Sequence, residues 1–374
     1  MGGGLMQLVA YGAQDIYLSG NPQITFFKVV YRRHTNFSME SIEQTFNGFP
    51  DFNKKVTCPI SRNGDLIHRI YLQAELPSAG AAWAGHKLIK SVEVEIGGQR
   101  IDKHYADWLH IWNELSQTAG HWDGYKLMVN GGDVLTENPS GASDVADNMV
   151  FVPLQFWFCR NPGLALPLIA LQYHEVKINL EFGDRADVLV TDSGSLGSAS
   201  LYVDYIYLDT DERRRFAQVS HEYLIEQLQF TGDETASSKI KLNFNHPCKE
   251  IVWVEKEDDA EVGTYVTSYD SAKLQLNGHE RFSARVPQYF QLVQPFQHHE
   301  RVPTMSGKTC GINVYSFALK PEEHQPSGTC NMSRIDNATL NLAGVNTNNT
   351  VKVYAVNYNV LRVMSGMGGL AYSN

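Results

Sequence analysis

The sequence predicts an all-β protein that contains two copies of one sandwich-type fold. Strand-forming residues (Val, Ile, Thr, Tyr, Phe and Trp) recur along the chain, whereas long helical stretches rich in Ala, Glu, Lys and Leu are missing. Short strand-like runs alternate with clusters of Gly, Pro, Asn, Asp and Ser, which is typical of a sandwich or a barrel. A weak internal repeat relates the two halves.

Length and composition agree with two folded domains. A chain of 374 residues is long for one sandwich but suits two domains of roughly 150 to 200 residues each. The chain is 43% hydrophobic and only 19% charged, which is typical of a globular protein and unlike a disordered one.

The predicted strands fall into two sets along the chain. The first set comprises residues 42–46, 66–76, 91–96, 150–158, 176–182 and 201–208. The second set comprises residues 223–230, 239–244, 251–255, 272–276, 313–319, 338–342 and 351–356. Longer segments rich in Gly, Asp and Ser separate some of these strands, at residues 77–87, 118–148, 183–198, 256–271 and 295–308. Functional variation is expected in such loops.

One helix is predicted within the first set, over residues 104–115. Its apolar residues recur at helical spacing: Tyr105, Trp108, Leu109, Trp112 and Leu115. We expect this helix to cap one end of the sandwich. His104 and His110 are six residues apart and would lie on different faces of the helix, so joint metal ligation is not expected.

The repeat has two matching parts at nearly the same offset. Ile42-Glu43-Gln44 followed by Gly48 recurs as Ile225-Glu226-Gln227 followed by Gly232. VEIGGQR at residues 94–100 matches LQLNGHE at 274–280, and the glycine in each predicts a tight hairpin turn. The predicted organisation is an N-terminal segment at 1–37, a first copy at 38–211, a linker at 212–220 and a second copy at 221–374.

The charge balance argues against nucleic-acid binding. The net charge is −10, whereas affinity for phosphate depends mainly on Lys and Arg. The one basic run, Arg213-Arg214-Arg215, lies among acidic residues and is interpreted as a solvated or interface-pairing linker.

Cysteine usage and the N-terminal residues bear on the compartment. Five scattered cysteines without a Cys-x-x-Cys pair suit a reducing compartment and small core positions. A bridge between Cys310 and Cys330 remains an alternative. The first residues lack a basic region followed by a long apolar core, so no secretory signal is expected.

Four segments carry a family resemblance that covers essentially the whole chain. They are QDIYLSGNPQITFFKVVYRRHTNF at residues 14–37, IGGQRIDKH at 96–104, YSFALKPEEHQPSGTCNMSR at 315–334 and MSGMGGLAYSN at 364–374. The chain resembles the major capsid proteins of nucleocytoplasmic large DNA viruses, and looks closest to those of phycodnaviruses of the chlorovirus type. It looks shorter than typical members, which suggests a secondary paralogue of the principal shell protein.

The resemblance implies a fold, a role and partners. The fold is two tandem eight-stranded jelly rolls with short helices in the loops, and the role is structural. Three chains form a capsomer with a pseudo-hexagonal outline in an icosahedral virion shell, after assembly in the host cytoplasm. The implied partners are copies of the chain itself, neighbouring capsomers, minor capsid proteins and an internal membrane, without direct nucleic-acid contact.

The N-terminal segment is a candidate assembly arm. Its residues Phe26, Phe27 and Tyr31 would anchor it to a neighbour, while Arg32 and Arg33 would pair with acidic groups. The alternative is a first-strand extension that packs on its own sandwich.

Four sequons are candidate sites of N-glycosylation: Asn36, Asn331, Asn337 and Asn348. Of these, only Asn348 has an obviously exposed setting in the sequence, in a turn at residues 344–350. Asn36 lies in the N-terminal signature, and Asn331 and Asn337 lie in a strand-rich stretch.

No sequence motif indicates an enzyme. The chain has no Gly-x-Ser-x-Gly, P-loop, His-Glu-x-x-His or dinucleotide-binding fingerprint, so no catalytic, cofactor-binding or metal-binding residue is predicted. His298-His299-Glu300 is interpreted as a solvated loop. The main alternative function is a carbohydrate-binding jelly roll that uses Trp83, Trp122 and Tyr125 in loops to stack on sugars.

Overall fold

The structure is a computed structural model that describes residues 3–130, 148–190, 193–258, 260–305 and 308–373. The chain divides into two compact units, Met1–Asn36 and Phe37–Asn374. The first unit contains helices α1 (Gly3–Val9) and α2 (Ile16–Ser19), and none of its described residues is buried. Part of the predicted loop at 118–148, residues 131–147, lies outside the described residues.

In the part of the chain that the structure describes, nine strands form the two sheets of the first sandwich. They are β1 (Phe37–Gln44), β2 (Lys55–Pro59), β3 (Leu66–Glu75), β4 (Ile89–Ile96), β5 (Gln99–Tyr105), β6 (Met149–Pro153), β7 (Leu166–Pro167), β8 (Val176–Phe182) and β9 (Ala199–Leu208). Sheet I has the order β1-β9-β3-β6, with β7 beside β3, and sheet II has the order β2-β8-β4-β5. All pairings are antiparallel, and the inward-facing side chains of both sheets form one core.

The helices of the first sandwich lie between its strands. They are α3 (Ala84–Leu88), α4 (Ala106–Ser116), α5 (Ala119–Val129), α6 (Trp157–Arg160) and α7 (Arg185–Val188), with a 3-10 turn at Pro162–Leu164. Helix α8 (Thr210–Gln218) connects the two sandwiches, so residues 212–218 of the predicted linker at 212–220 are helical. Its Arg213 forms an ion pair with Asp65 at 2.9 Å.

Among the described residues that follow helix α8, twelve strands belong to the second sandwich. They are β10 (His221–Thr235), β11 (Lys239–Leu242), β12 (Pro247–Lys256), β13 (Ser271–Leu276), β14 (His279–Glu280), β15 (Thr304–Met305), β16 (Lys308–Thr309), β17 (Asn313–Ser316), β18 (Cys330–Asn331), β19 (Ala338–Ala343), β20 (Thr350–Met364) and β21 (Met367–Leu370). A π-helical turn (Tyr289–Val293) precedes helix α9 (Gln294–His298), and a 3-10 turn covers Met332–Arg334. Sheet III has the order β10-β20-β12-β17, with β18 and β21 at its sides, and sheet IV has the order β11-β19-β13-β14.

The two sandwiches share one strand order. Strands β1-β9-β3-β6 of sheet I correspond to β10-β20-β12-β17 of sheet III, and β2-β8-β4-β5 correspond to β11-β19-β13-β14. The predicted all-β fold with two tandem eight-stranded jelly rolls is therefore confirmed.

The matching hairpins have matching turn geometry. Gly97 and Gly98 join β4 to β5 with φ of 57° and 85°, and Asn277 and Gly278 join β13 to β14 with φ of 50° and 82°. Two successive residues with positive φ are typical of a type I′ turn, which favours Asn and Gly. The sequence match at these positions therefore has a backbone cause.

Sheet III is buried on both faces. Along β12, Ile251 and Trp253 point into the core shared with sheet IV, whereas Val252 and Val254 pack in a separate cluster with helix α4 of the first sandwich. A strand buried on both faces is apolar at nearly every position, as β12 is.

Some sequence predictions were wrong in detail. Helix α4 begins at Ala106 instead of 104. Its Leu109 packs in the core of its own sandwich, and Trp108, Ile111, Trp112 and Leu115 pack against the second sandwich, so the helix covers both. His104 consequently lies in strand β5, with its Nε2 3.0 Å from the Asp102 carboxylate. The strand predicted at 150–158 ends at Pro153, β2 is a strand that the sequence pattern did not reveal, and β5 was indicated only by its hairpin turn.

Two further features concern the cysteines and the helices. All five cysteines are free, so the alternative bridge between Cys310 and Cys330 is not formed. Among the described residues, no helix combines the length and apolar character needed to cross a membrane.

Candidate functional site

A buried ion-pair network joins the two sandwiches around Glu226 on strand β10. One carboxylate oxygen of Glu226 accepts hydrogen bonds from Lys249 Nζ at 2.9 Å and from His324 Nδ1 at 3.3 Å. The other oxygen accepts one from Arg160 of the first sandwich at 3.1 Å. Lys249 is 1% exposed and also donates to the carbonyl of Glu323 at 2.9 Å. The network therefore fixes helix α6 of the first sandwich on the edge of the second.

Neighbouring basic side chains keep the Glu226 carboxylate ionised. Burial alone would raise the pKa of this carboxyl, but Arg160, His324 and Lys249 lower it to about 2. A buried charge without a partner is unfavourable, so removal of any one of these side chains destabilises the buried charges that remain.

A second polar cluster lies at the base of helix α4. The Asp107 carboxylate accepts hydrogen bonds from Lys352 at 2.8 Å, Lys256 at 3.3 Å and the Tyr265 hydroxyl at 3.3 Å. Burial, together with the charge of Lys352, lowers the pKa of Lys256 despite its pairing with Asp107. A cavity of about 800 Å³ lies beside this cluster, between the sandwiches.

Backbone and side-chain hydrogen bonds join the edge strands β5 and β10. The Gln227 amide donates to the Ile101 carbonyl, and the Leu228 N–H donates to the Asp102 carboxylate at 3.0 Å. The rings of Tyr105 and Phe230 are 4.8 Å apart at their centroids. The open edge of sheet III is thus covered within the chain.

Of the three aromatic residues considered for sugar binding, Tyr125 is buried and Trp83 and Trp122 are half-buried. The Tyr125 hydroxyl lies 2.5 Å from His86 Nε2. Trp83 stacks on His86 with centroids 5.5 Å apart, and the Arg301 guanidinium lies 3.6 Å from the Trp122 ring centroid. These contacts leave less ring surface for stacking on a sugar, which disfavours the carbohydrate-binding alternative.

Two ionisable groups close to these aromatic residues have shifted pKa values. Burial, with the positive charges of Arg301 and Lys256, lowers the pKa of His110 to about 3. Burial raises the pKa of Glu114 to about 7, although Arg301 opposes this shift. At neutral pH, His110 is therefore uncharged.

His299 is buried, so the prediction of a solvated loop at residues 298–300 was wrong. Its Nε2 lies 2.8 Å from Glu250 and its Nδ1 lies 2.8 Å from Glu322. Burial alone would lower the pKa of His299, but the two carboxylates raise it to about 9. The imidazolium between two carboxylates joins helix α9 to sheet III.

We expect the stability of the protein to fall as pH rises from about 6.5 to 9. The native state keeps the His299 proton up to about pH 9, whereas an unfolded histidine releases it near pH 6.5. The stabilisation present below pH 6.5, about 3 kcal/mol, is lost across this window. Urea denaturation at several pH values measures the slope, which His299→Gln should remove. His121→Gln on the exposed surface of α5 is the control, and an equal slope in the His299 variant would contradict the assignment.

The assembly-arm residues are exposed in the unit Met1–Asn36. Phe26, Phe27 and Tyr31 are 87%, 97% and 86% exposed. Arg32 and Arg33 follow them and are also exposed. An aromatic group of this kind is typical of a surface that another molecule covers.

All four sequon asparagines are exposed: Asn36, Asn331, Asn337 and Asn348. The sequence had indicated this only for Asn348. Asn331 uses its side-chain oxygen to accept a hydrogen bond from the Ser333 N–H at 3.1 Å. Glycan attachment at these positions stays a prediction.

The described residues contain no cluster of side chains suited to binding a metal ion. Within residues 3–130, 148–190, 193–258, 260–305 and 308–373, no three His, Cys, Asp or Glu side chains are placed to hold a metal ion. Glu226 and His299, whose pKa values are shifted, are each paired with an opposite charge, as in structural ion-pair networks.

Comparison with known protein families shows to which family the chain belongs. A model of the major capsid protein N-terminus matches residues 25–209, and one described as the large eukaryotic DNA virus major capsid protein matches residues 212–369. The major capsid protein of Pyramimonas orientalis virus is 79% identical over 397 aligned positions, and the alignment covers both chains completely. This chain belongs to the major capsid protein family of large DNA viruses.

A further relative of this capsid protein is also a viral major capsid protein. The major capsid protein of Paramecium bursaria Chlorella virus 1 is 46% identical, with complete coverage of both chains. The predicted resemblance to phycodnavirus capsid proteins is thus confirmed, and the protein is a structural component of the virion shell. The 397-position alignment shows that a major capsid protein of nearly this length exists, so short length alone does not indicate a secondary paralogue.

Solved structures show the same architecture. The PBCV-1 virus capsid model superimposes with a TM-score of 0.82 at 42% identity, covering 94% of this capsid protein and 100% of that chain. The Faustovirus major capsid protein gives a TM-score of 0.73 at 13% identity, with 95% and 94% coverage, which shows the shared fold alone.

Proposed function

We propose that three copies of this capsid protein form a capsomer with a pseudo-hexagonal outline. The main support is the shared strand order of the two sandwiches. A trimer of a chain with two similar sandwiches presents six similar wedge-shaped domains. The domain bounds proposed with it are 38–211 for the first jelly roll, 212–220 for the connection and 221–374 for the second.

The buried junction supports this role. Contacts of Glu226, Asp107 and helix α4 hold the two sandwiches in one arrangement, as a shell component with a fixed outline requires. Neighbouring capsomers, minor capsid proteins and an internal membrane are the partners proposed for the assembled shell, and no catalytic role is proposed.

Light scattering of the purified chain tests the capsomer directly. We expect a mass near three times 42.0 kDa, and negative-stain images with a hexagonal outline. A monomer of 42.0 kDa at micromolar concentration would contradict the proposal.

The N-terminal segment is proposed as an arm that stabilises the capsomer by docking on a neighbour. Deletion of residues 1–36, which removes the five proposed contact residues Phe26, Phe27, Tyr31, Arg32 and Arg33, is expected to leave a folded chain, because the two sandwiches begin at Phe37. The trimer yield should fall, since permanent interfaces depend on several apolar contacts formed together. An unchanged yield would remove the arm hypothesis. A circular dichroism spectrum checks that the shortened chain is folded.

A further inference from the structure

Two of the five free cysteines lie opposite each other on neighbouring strands. In the antiparallel pairing of β12 with β18, Cys248 is the partner of Cys330. The Cα atoms of opposite residues in such a pair are about 4.5 to 5.5 Å apart. Cysteines joined by a disulfide usually have Cα atoms about 4.4 to 6.8 Å apart. The register of the sheet therefore places Cys248 and Cys330 at the backbone spacing of a disulfide.

A bulge in β12 directs Cys248 into the core that Cys330 also contacts. The register of β12 with β20 shifts between Cys248 and Glu250, which inserts one extra residue into β12. Cys248 consequently packs in the same cluster as Ile251 and Trp253, and Cys330 packs against that cluster. The two thiols thus lie on one face of sheet III.

The other three cysteines lie elsewhere. Cys310 packs against the cluster on the opposite face of sheet III. Cys58 and Cys159 are buried in the core of the first sandwich. The pair Cys248 and Cys330 is therefore the one that the sheet register supports.

Cys330 stands at the base of a loop, residues 319–329, whose two ends meet on β12. The Ala318 N–H donates to the Lys249 carbonyl at 3.2 Å, and Cys330 returns to the adjacent residue, Cys248. Strand β18, which has two residues, holds the returning end. A bond between the two cysteines would close the base of this loop covalently.

The buried networks around His299 and Glu226 each take a side chain from this loop. Glu322 accepts a hydrogen bond from His299 Nδ1 at 2.8 Å. His324 Nδ1 donates to Glu226 at 3.3 Å. Covalent attachment of the loop to β12 therefore supports both networks.

We propose that Cys248 and Cys330 form a disulfide when the folded chain meets a small disulfide such as oxidised glutathione. Cys330 is half-buried whereas Cys248 is 0% exposed, so the Cys330 thiolate attacks the oxidant first. This step forms a mixed disulfide and releases one glutathione. The Cys248 thiolate then attacks the Cys330 sulfur, forms the protein disulfide and releases the second glutathione. The two thiols lose two protons and two electrons in total, and the oxidant accepts them.

The bond distinguishes a chain in reducing surroundings from one in oxidising surroundings. Glutathione keeps cytosolic thiols reduced, whereas disulfides persist in oxidising surroundings, including virion surfaces. A shell subunit made with free thiols thus gains a crosslink after the particle leaves the cell. The crosslink lies within one chain, so it does not depend on the trimeric capsomer proposed above.

Mass spectrometry of the oxidised chain tests the bond. The purified full-length chain is freed of reductant and incubated with oxidised glutathione at pH 7 and at pH 9, without denaturant. We expect the intact mass to fall by two hydrogen atoms, and a non-reducing peptide map to join the peptides that contain Cys248 and Cys330. Burial raises the pKa of both thiols, so the bond should form faster at pH 9.

Thermal unfolding measures the effect of the bond on stability. The oxidised chain should have an apparent melting temperature at least about 3 °C above that of the reduced chain, because the bridge restricts the unfolded state. Cys330→Ser should not respond to the oxidant. Cys310→Ser, which removes another half-buried cysteine, is the matched control and should respond as the wild type does.

Several outcomes of these experiments would overturn the proposal. They are a native chain that keeps all five thiols at pH 9, a bridge that involves Cys310, and a glutathione adduct on Cys330 that Cys248 does not resolve. An oxidised wild type whose melting temperature does not rise would contradict the stabilising role of the bond.

Discussion

Replacement of Glu226 by glutamine is expected to lower the free energy of unfolding by about 3 to 5 kcal/mol. The substitution keeps the size of the side chain but leaves Lys249, 1% exposed, without its carboxylate partner. Arg160 loses the same partner across the junction. Urea denaturation followed by circular dichroism at pH 7 measures the change.

Glu222→Gln is the matched control for this prediction. Glu222 lies on the same strand and pairs with Arg362 at 2.8 Å, but its side chain is 59% exposed. Exposed ion pairs contribute about 0 to 1 kcal/mol, so this variant should be nearly as stable as the wild type. Equal losses in the two variants would show that burial of the Glu226 network is not what stabilises the junction.

Trp108→Ala is expected to destabilise the protein by about 3 to 5 kcal/mol. Trp108 is 1% exposed on helix α4, and its ring centroid lies 5.4 Å from that of Tyr354 on sheet III. Truncation removes a large apolar contact between the sandwiches and leaves a cavity between them. The loss should be visible in urea denaturation, together with faster proteolysis at the junction.

The control for Trp108→Ala is an exposed aromatic residue. Phe296 is 78% exposed on helix α9, so Phe296→Ala should change the stability by no more than about 0.5 kcal/mol. If Trp108→Ala were equally mild, helix α4 would not be the element that joins the two sandwiches.

The doubled fold could be predicted because its signals are local. Alternating apolar residues identified most strands of both copies, and the turns at Gly98 and Gly278 fixed the same hairpin in each. Strand β2 was missed because its five residues include Lys55 and Pro59, which weaken the alternating pattern.

The junction could not be predicted because its partners are distant in sequence. Arg160 and Glu226 are 66 residues apart, and Asp107 and Lys352 are 245 apart. The amphipathic pattern of α4 indicated a helix with a buried face but could not say which sheet covers that face. His299 was misassigned for the same reason, since Glu250 and Glu322 approach it from separate strands and loops.

Helix α4 has a consequence for the order in which the chain acquires its structure during synthesis. Sheet III needs this helix to cover the apolar face formed by Val252, Val254 and Tyr354, and the helix precedes that sheet in the chain. During synthesis, helix α4 therefore leaves the ribosome before sheet III. It is available to cover the apolar face of that sheet as soon as the sheet forms.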